Sequence, residues 1–80
     1  MADAWDVVEG ALFKKFVFAD FAEAFAFMTR VAVLAEQHNH HPDWTNSWNV
    51  VEISLCSHDQ GRTITQRDHD LARAIDELIS

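Results

Sequence analysis

Two short segments at the start of the chain alternate apolar with polar residues. They cover residues 4–9 and 11–18, and Gly10 lies between them. A period of two places successive side chains on opposite faces of a strand, and a glycine between two such segments is typical of a tight turn. The pattern predicts a β-hairpin over residues 4–18.

Residues 20–37 repeat their apolar side chains every three or four positions, which is the spacing of a helix. The predicted apolar stripe consists of Phe21, Phe25, Met28, Ala32 and Ala35, widened by Ala24, Phe27, Val31 and Leu34. Asp20 and Glu23 stand three positions apart, as in a capping box, where each side chain accepts a hydrogen bond from a free backbone N–H at the helix start. The segment predicts a long, buried helix.

A third alternating segment covers residues 47–57 and gives the clearest strand pattern of the chain. Val51, Ile53 and Leu55 share one side of it, which predicts that this side faces the core. The other side is mixed in polarity. His58 follows directly, where the chain leaves the predicted strand.

The chain ends in a second predicted helix, from about residue 66 onward. Thr65 and Asp68 form another capping-box pair just before an apolar face. That face consists of Leu71, Ile75 and Leu78. The order of the elements predicts a fold of the α+β class, with one antiparallel β-sheet of about four strands and the helices packed on one face.

The length suits a single domain, residues 1–80, with a core of limited size. Cys56 is the single cysteine, so no disulfide can form within the chain, and this fits a reducing, cytoplasmic location. Self-association would add stability, and the edge strands of an antiparallel sheet invite it. We therefore expect a homodimer or tetramer.

Charge and hydropathy argue against some classes of partner. The formal net charge is −7 and the six basic residues are scattered, so we expect no direct binding of nucleic acid. No apolar stretch approaches the roughly 20 residues of a membrane-spanning helix, and the first residues lack the basic start and apolar run of a signal peptide. We expect no membrane attachment.

Four of the five histidines fall in two short segments. His38, His40 and His41 precede Pro42, and His58 follows the third predicted strand. An imidazole accepts and donates protons near neutral pH, so this cluster suits acid–base catalysis on a small ligand. A chance surface cluster and a metal site are the alternatives. Zinc prefers tetrahedral sets of Cys and His ligands, and the sequence has no Cys-x-x-Cys spacing to complete one.

The segment at residues 36–44, EQHNHHPDW, resembles the signature of the pterin-4a-carbinolamine dehydratases. That signature has an acidic residue, three variable positions, His-His-Pro, an acidic residue and an aromatic residue. The similarity continues through residues 13–16 (FKKF), 25–32 (FAFMTRVA), 48–49 (WN), 51–53 (VEI), 57–59 (SHD) and 65–68 (TQRD). Motifs in this order over nearly the whole chain are more specific than His-His-Pro alone. The family usually has a further N-terminal helix before the segment matching Trp5, and this sequence shows no counterpart.

Members of that family dehydrate 4a-hydroxytetrahydropterins to quinonoid dihydropterins, which recycles a tetrahydrobiopterin-type cofactor of aromatic amino acid hydroxylases. The reaction removes a proton from ring nitrogen N5 and delivers one to the departing 4a-hydroxyl, and it needs no metal, nucleotide or other cofactor. The resemblance implies that His40, His41, His58 and Asp68 are catalytic. His40 and His58 are expected to act as acid and base, and His41 to bind and polarise the pterin.

The resemblance also implies a set of substrate-binding residues. They are Glu36, Asn39, Pro42, Cys56, Ser57, Asp59 and Trp5. Two carboxylates have ordinary structural roles as alternatives, because Glu36 stands near a helix end and Asp68 caps the next helix. Some relatives act instead as non-enzymatic partners, either as a coactivator of a homeodomain transcription factor or as assembly factors for a carbon-fixing enzyme. The histidines retained here with Pro42 favour the enzyme.

Overall fold

The computed structural model describes residues 4–58 and 61–79. Its elements are, in chain order, β1 (Asp6–Val8), β2 (Ala11–Val17), α1 (Phe21–Gln37), β3 (Asp43–Ser47), β4 (Val50–Leu55) and α2 (Gln66–Glu77). The strands form one antiparallel sheet in the order β1-β2-β4-β3. The predicted α+β class, the N-terminal hairpin and both helices are confirmed.

Both helices cover the same face of the sheet, and the core lies between the two layers. The alternation predicted for the third segment is confirmed, because Val51, Ile53 and Leu55 are fully buried. The helical residues that join the same core cluster are Ala24, Phe27, Val31, Leu71, Ala72 and Ile75. Full burial of a large aliphatic side chain contributes about 1.5–3 kcal/mol, so this layer is the main source of stability in so small a domain.

The sequence signals at both helix starts correspond to real hydrogen bonds. Asp20 accepts a hydrogen bond from the N–H of Glu23 at 2.8 Å, and Glu23 accepts one from the N–H of Ala19 at 3.0 Å. At the start of α2, the carboxylate of Asp68 accepts from the N–H of Thr65 at 2.8 Å. Each bond satisfies a backbone donor that has no partner within the helix itself.

The prediction of one strand over residues 47–57 is wrong. The chain turns at Trp48, β3 and β4 pair across that turn, and β4 ends at Leu55. Trp48 has a left-handed backbone with φ of 51°, and the side-chain amide of Asn46 donates to the carbonyl oxygens of Trp48 at 3.1 Å and Val50 at 3.0 Å. A left-handed tryptophan is uncommon, so the alternation gave no sign of the turn.

Helix α1 is apolar on two sides, and one of them faces the core. Its buried residues are Ala24, Phe27, Val31 and Ala35. The predicted stripe was wrong for Phe21, Phe25 and Ala32, which are exposed. A helix with apolar residues around much of its circumference has no single stripe, and its packing partners decide which side is buried. Neither helix of the described residues has the length and apolar character needed to cross a membrane.

We expect the exposed apolar side of α1 to mediate self-association. Phe21, Phe25 and Val33 each expose about half of their surface, and contiguous exposed apolar residues mark interaction sites. Sedimentation should show a dimer or tetramer at micromolar concentration, and Phe25→Arg should shift it toward monomer. Arg30→Glu, at an exposed position about 140° around the helix from Phe25, is the control and should leave the assembly intact. A monomeric wild type would contradict the expectation, and an assembly that survives Phe25→Arg would assign the contact to the sheet edges.

Candidate active site

The loop that carries the first histidines starts at the C-terminus of α1. His38 caps the helix, and Asn39 follows in the left-handed conformation with φ of 49°. The N–H of Asn39 donates to the carbonyl of Glu36 at 3.2 Å, and the N–H of His40 donates to that of Ala35 at 3.0 Å. These two bonds form a Schellman motif, in which asparagine tolerates the left-handed position. The motif fixes the backbone of His40 beside the helix end.

The second histidine segment follows β4. The N–H of Ser57 donates to the carbonyl of Thr63 at 2.8 Å, and this isolated bridge holds the chain next to His58. The two segments meet at a pocket of about 280 Å³. Its lining residues are Asn39, His40, His41, His58 and Arg67. The structure therefore brings together the three histidines that the sequence singled out.

Each of these histidines lies beside a carboxylate. The pairs, with the distance from Nε2 to the carboxylate oxygen, are His40 with Asp68 at 2.5 Å, His41 with Glu36 at 2.6 Å, and His58 with Asp43 at 3.4 Å. The first pair is buried and the other two are exposed. A neighbouring carboxylate orients an imidazole and fixes which ring nitrogen faces the pocket. Three imidazoles held in this way around one pocket can donate and accept protons.

Asp68 is fully buried although it is a carboxylate. Burial by itself would raise the pKa of Asp68. Hydrogen bonds from His40, from the N–H of Thr65 and from the hydroxyl of Ser57 outweigh burial, so the pKa lies below its ordinary value. The carboxylate is therefore ionised at neutral pH. Both roles considered for Asp68, a helix cap and a partner of a histidine, are present at once.

Comparison with known proteins places the chain among relatives. The model of the family described as pterin 4 alpha carbinolamine dehydratase matches residues 1–78. The chain belongs to this family. It is 51% identical over 76 residues to a protein of Rhodopseudomonas palustris (strain BisB18), covering 92% of this chain and 74% of the relative. It is 53% identical over 74 residues to a protein of Synechococcus sp. (strain WH7803), covering 92% and 78%. Both relatives are named, provisionally, pterin-4-alpha-carbinolamine dehydratase.

Two solved structures share the fold. A crystal structure from Brucella melitensis, described as a transcriptional coactivator/pterin dehydratase, superposes with a TM-score of 0.91 at 35% identity and covers 98% of this chain and 84% of that one. A pterin dehydratase-like protein, described as a RuBisCO assembly factor in the alpha-carboxysome, superposes with a TM-score of 0.78 at 26% identity and covers 95% and 89%. The pterin dehydratase fold therefore occurs in proteins described by more than one role.

Two polar residues at the pocket, Arg67 and Asp43, were not among the site residues predicted from the sequence. Nη2 of Arg67 donates to the carbonyl of Asn39 at 3.1 Å, and both residues line the pocket. Asp43 lies beside His58. The sequence carried a signal for each, since Asp43 is the acidic residue of the signature and Arg67 lies within the matched segment 65–68.

Five predicted binding residues are not among those that line the pocket: Glu36, which bonds to His41, and Ser57, Pro42, Cys56 and Trp5. Ser57 is fully buried, and its hydroxyl bonds to Thr65 at 2.6 Å and to Asp68 at 3.0 Å, so it supports Asp68. Pro42 is half-buried in the loop exit. Cys56 is buried behind His58, with Sγ 3.7 Å from Nε2 of the imidazole.

Trp5 is placed elsewhere, which corrects its expected position at the pocket rim. Its ring packs edge-on against Phe16 at 5.9 Å between centroids, and its indole N–H donates to Asp76 at 3.1 Å. These contacts attach the segment before β1 to β2 and α2. The predicted role of Asp59 falls on a residue outside the part of the chain that the structure describes.

Proposed function

We propose that this protein removes water from a 4a-hydroxytetrahydropterin and releases the quinonoid dihydropterin, with histidines carrying both proton transfers. The observation that supports this most is the pocket where His40, His41 and His58 meet, each beside its own carboxylate. Membership of the pterin-4-alpha-carbinolamine dehydratase family supports the same reaction. The proposed role is recycling of a tetrahydrobiopterin-type cofactor in the cytoplasm, without direct contact to nucleic acid.

His40 is proposed as the base. Asp68 engages its Nε2, so Nδ1 is the nitrogen that takes the proton from N5 of the pterin. The imidazolium formed in this step is stabilised by the buried carboxylate, which plays the part of the aspartate in a serine-protease triad. The electron pair of the broken N5–H bond forms the double bond between N5 and C4a.

His58 is proposed as the acid. It enters the pocket from the segment after β4, across from the loop of His40. Its proton goes to the 4a-hydroxyl, the C4a–O bond breaks, and the hydroxyl leaves as water. His41, oriented by Glu36, binds and polarises the pterin ring. Afterwards the imidazoles exchange protons with solvent and return to their initial states.

The size and lining of the pocket suit a small polar heterocycle. Its volume of about 280 Å³ lies just below the roughly 300–1,000 Å³ that is typical of sites for drug-sized ligands. Asn39 and Arg67 add polar groups to the imidazoles, and a pterin ring carries donors and acceptors along its edge. Hydrogen bonds from these groups would fix its orientation.

The direct test is a dehydratase assay with 4a-hydroxytetrahydropterin generated by a phenylalanine hydroxylase. We expect the protein to accelerate dehydration above the rate in buffer, in proportion to its concentration. A rate equal to that of buffer, from protein that is folded by circular dichroism, would refute the proposed function.

The activity should not depend on an added cofactor. Proton transfers complete the elimination, and imidazoles can carry both near neutral pH. We therefore expect turnover to persist after dialysis against a chelator, without nucleotide or flavin, and to decline at pH values where the imidazoles hold too many or too few protons. Activity that is abolished by chelation and restored by zinc would contradict this mechanism.

A role as an assembly factor or coactivator is the second candidate. Two observations favour it: the fold is shared with a protein described as a RuBisCO assembly factor, and α1 exposes an apolar side. Such a role uses the protein surface and does not need the histidines. A protein inactive in the dehydratase assay that still self-associates through α1 would support this candidate.

A further inference from the structure

Asp43, Cys56 and His58 form a cluster of potential metal ligands at one side of the pocket. One carboxylate oxygen, the sulfur and one ring nitrogen lie within 4.8 Å of one another. We propose that this cluster binds a divalent cation of the zinc class, with the thiolate, the imidazole and the carboxylate as ligands and water in the remaining position. Such a site goes beyond the dehydratase reaction, which needs no metal.

The antiparallel pairing of β3 and β4 brings the three ligands together. Asp43 is the first residue of β3 and pairs with Ser54 near the end of β4. Cys56 and His58 lie two and four residues after Ser54, and their side chains lie close to that of Asp43 at the start of β3. The carboxylate is thus 13 residues away in sequence from the thiol but adjacent in space.

Two of the three separations between ligand atoms match a tetrahedral site, and the third, from sulfur to carboxylate oxygen, is within 4.8 Å. Zinc lies about 2.3 Å from sulfur and about 2.0–2.2 Å from nitrogen and oxygen, so tetrahedral ligands are about 3.6 Å apart for sulfur to nitrogen and about 3.4 Å for nitrogen to oxygen. Sγ of Cys56 is 3.7 Å from Nε2 of His58, and that nitrogen is 3.4 Å from Oδ2 of Asp43. An ion could therefore enter with little movement of the imidazole.

Access and ligand chemistry favour a transition metal over magnesium or calcium. The side chains of Asp43 and His58 are 62% and 59% exposed, so an ion reaches them from solvent. A thiolate and an imidazole are ligands that zinc prefers, whereas magnesium and calcium prefer oxygen. Binding releases the thiol proton of Cys56 to solvent. Burial raises the pKa of the Cys56 thiol, and the charge of Arg62 partly offsets this, so the ion has to displace the thiol proton when it binds.

Metal binding would have a consequence for catalysis, which rests on the proposed function. An ion on Nε2 of His58 would hold the imidazole in its neutral form with a single N–H at Nδ1. A neutral imidazole is a far weaker acid toward the 4a-hydroxyl than an imidazolium. The cation would therefore inhibit the dehydratase. Its removal by a chelator would preserve or raise the activity.

Cobalt(II) is the probe for the site, because a cobalt–thiolate bond gives a near-ultraviolet charge-transfer band. We expect one equivalent of cobalt to bind the reduced full-length protein with this band, and zinc to displace it. Cys56→Ser should abolish the band, and the surface variant Asp43→Asn should weaken affinity at least about ten-fold, since even outer-sphere changes cost 10–100-fold. His38→Ala, outside the cluster, is the matched control and should bind as wild type does.

Two results would overturn the site. One is the absence of a charge-transfer band. The other is loss of binding in His41→Ala with full binding in Asp43→Asn, which would assign the ion to the imidazoles of the pocket.

Inhibition of the dehydratase is measured in a separate experiment. Zinc should inhibit the wild type at concentrations at which Asp43→Asn keeps its own metal-free rate. An active enzyme that binds zinc without inhibition would overturn the regulatory consequence alone. A protein without dehydratase activity would refute the proposed function, and the cobalt titration would still decide the site.

Discussion

Replacing His58 with alanine is expected to lower kcat by about 10²–10⁴-fold, the typical contribution of one general acid or base. The imidazole is 59% exposed, and its buried contact, the thiol of Cys56 at 3.7 Å, bonds only weakly. Its removal therefore leaves no large cavity and no unpaired buried charge. The melting temperature should therefore stay close to that of wild type. Turnover of 4a-hydroxytetrahydropterin and thermal melting, measured on the same preparation, separate an effect on chemistry from an effect on folding.

His38→Ala is the matched control for this experiment. His38 is an exposed histidine of the same loop and is not among the residues that line the pocket. It should keep nearly full activity. Loss of activity in His38→Ala with full activity in His58→Ala would show that the histidine motif has been aligned wrongly. Full activity in both would remove His58 from the mechanism.

The burial of His40 changes how its role must be tested. The imidazole is 6% exposed and bonds to the buried carboxylate of Asp68, so His40→Ala would leave a buried charge without its partner and destabilise the fold. His40→Gln retains an N–H donor toward Asp68 but cannot cycle a proton. We expect this variant to fold and to lose turnover.

Local sequence signals predicted most of the fold. The capping pairs at Asp20 and Thr65 lie within a few residues of the bonds that they form, and the alternation of Val51, Ile53 and Leu55 needs only one buried face. The histidines of the pocket were found through a motif and a family resemblance. The spacing of the histidines along the sequence could not predict that they share one pocket. The pairing of β3 with β4 and the turn after α1 bring the two histidine segments together.

The features that were missed depend on tertiary contacts. Which side of α1 is buried is decided by the sheet and α2, so Phe21 and Phe25 could not be distinguished from core residues by periodicity. Trp48 adopts its left-handed backbone within a turn bonded by Asn46. Asp43 meets its partner His58 across a strand pair that the sequence did not reveal.

Asp68→Asn is expected to cost the most stability, about 1–3 kcal/mol for each buried donor that it leaves without an acceptor. The amide keeps the shape but has one acceptor oxygen, whereas the carboxylate accepts from His40, Ser57 and Thr65. Denaturant unfolding at neutral pH measures the loss. Asp70→Asn is the matched control: Asp70 accepts from Gln66 at the surface of α2, so its replacement should change stability by less than about 0.5 kcal/mol.

The stability lost in Asp68→Asn should depend on pH if ionisation of Asp68 is its cause. The pKa of Asp68 is lower in the folded protein than its ordinary value, so the unfolded chain binds the proton more readily. The stabilisation is therefore complete above the unfolded-state pKa, near pH 4, and is lost as pH falls through the lower folded-state pKa. The difference in unfolding free energy between wild type and Asp68→Asn should be constant from neutral pH to about pH 5 and shrink below about pH 4. A difference that stays constant in acid would assign the loss to packing and would contradict an ionised carboxylate beside His40.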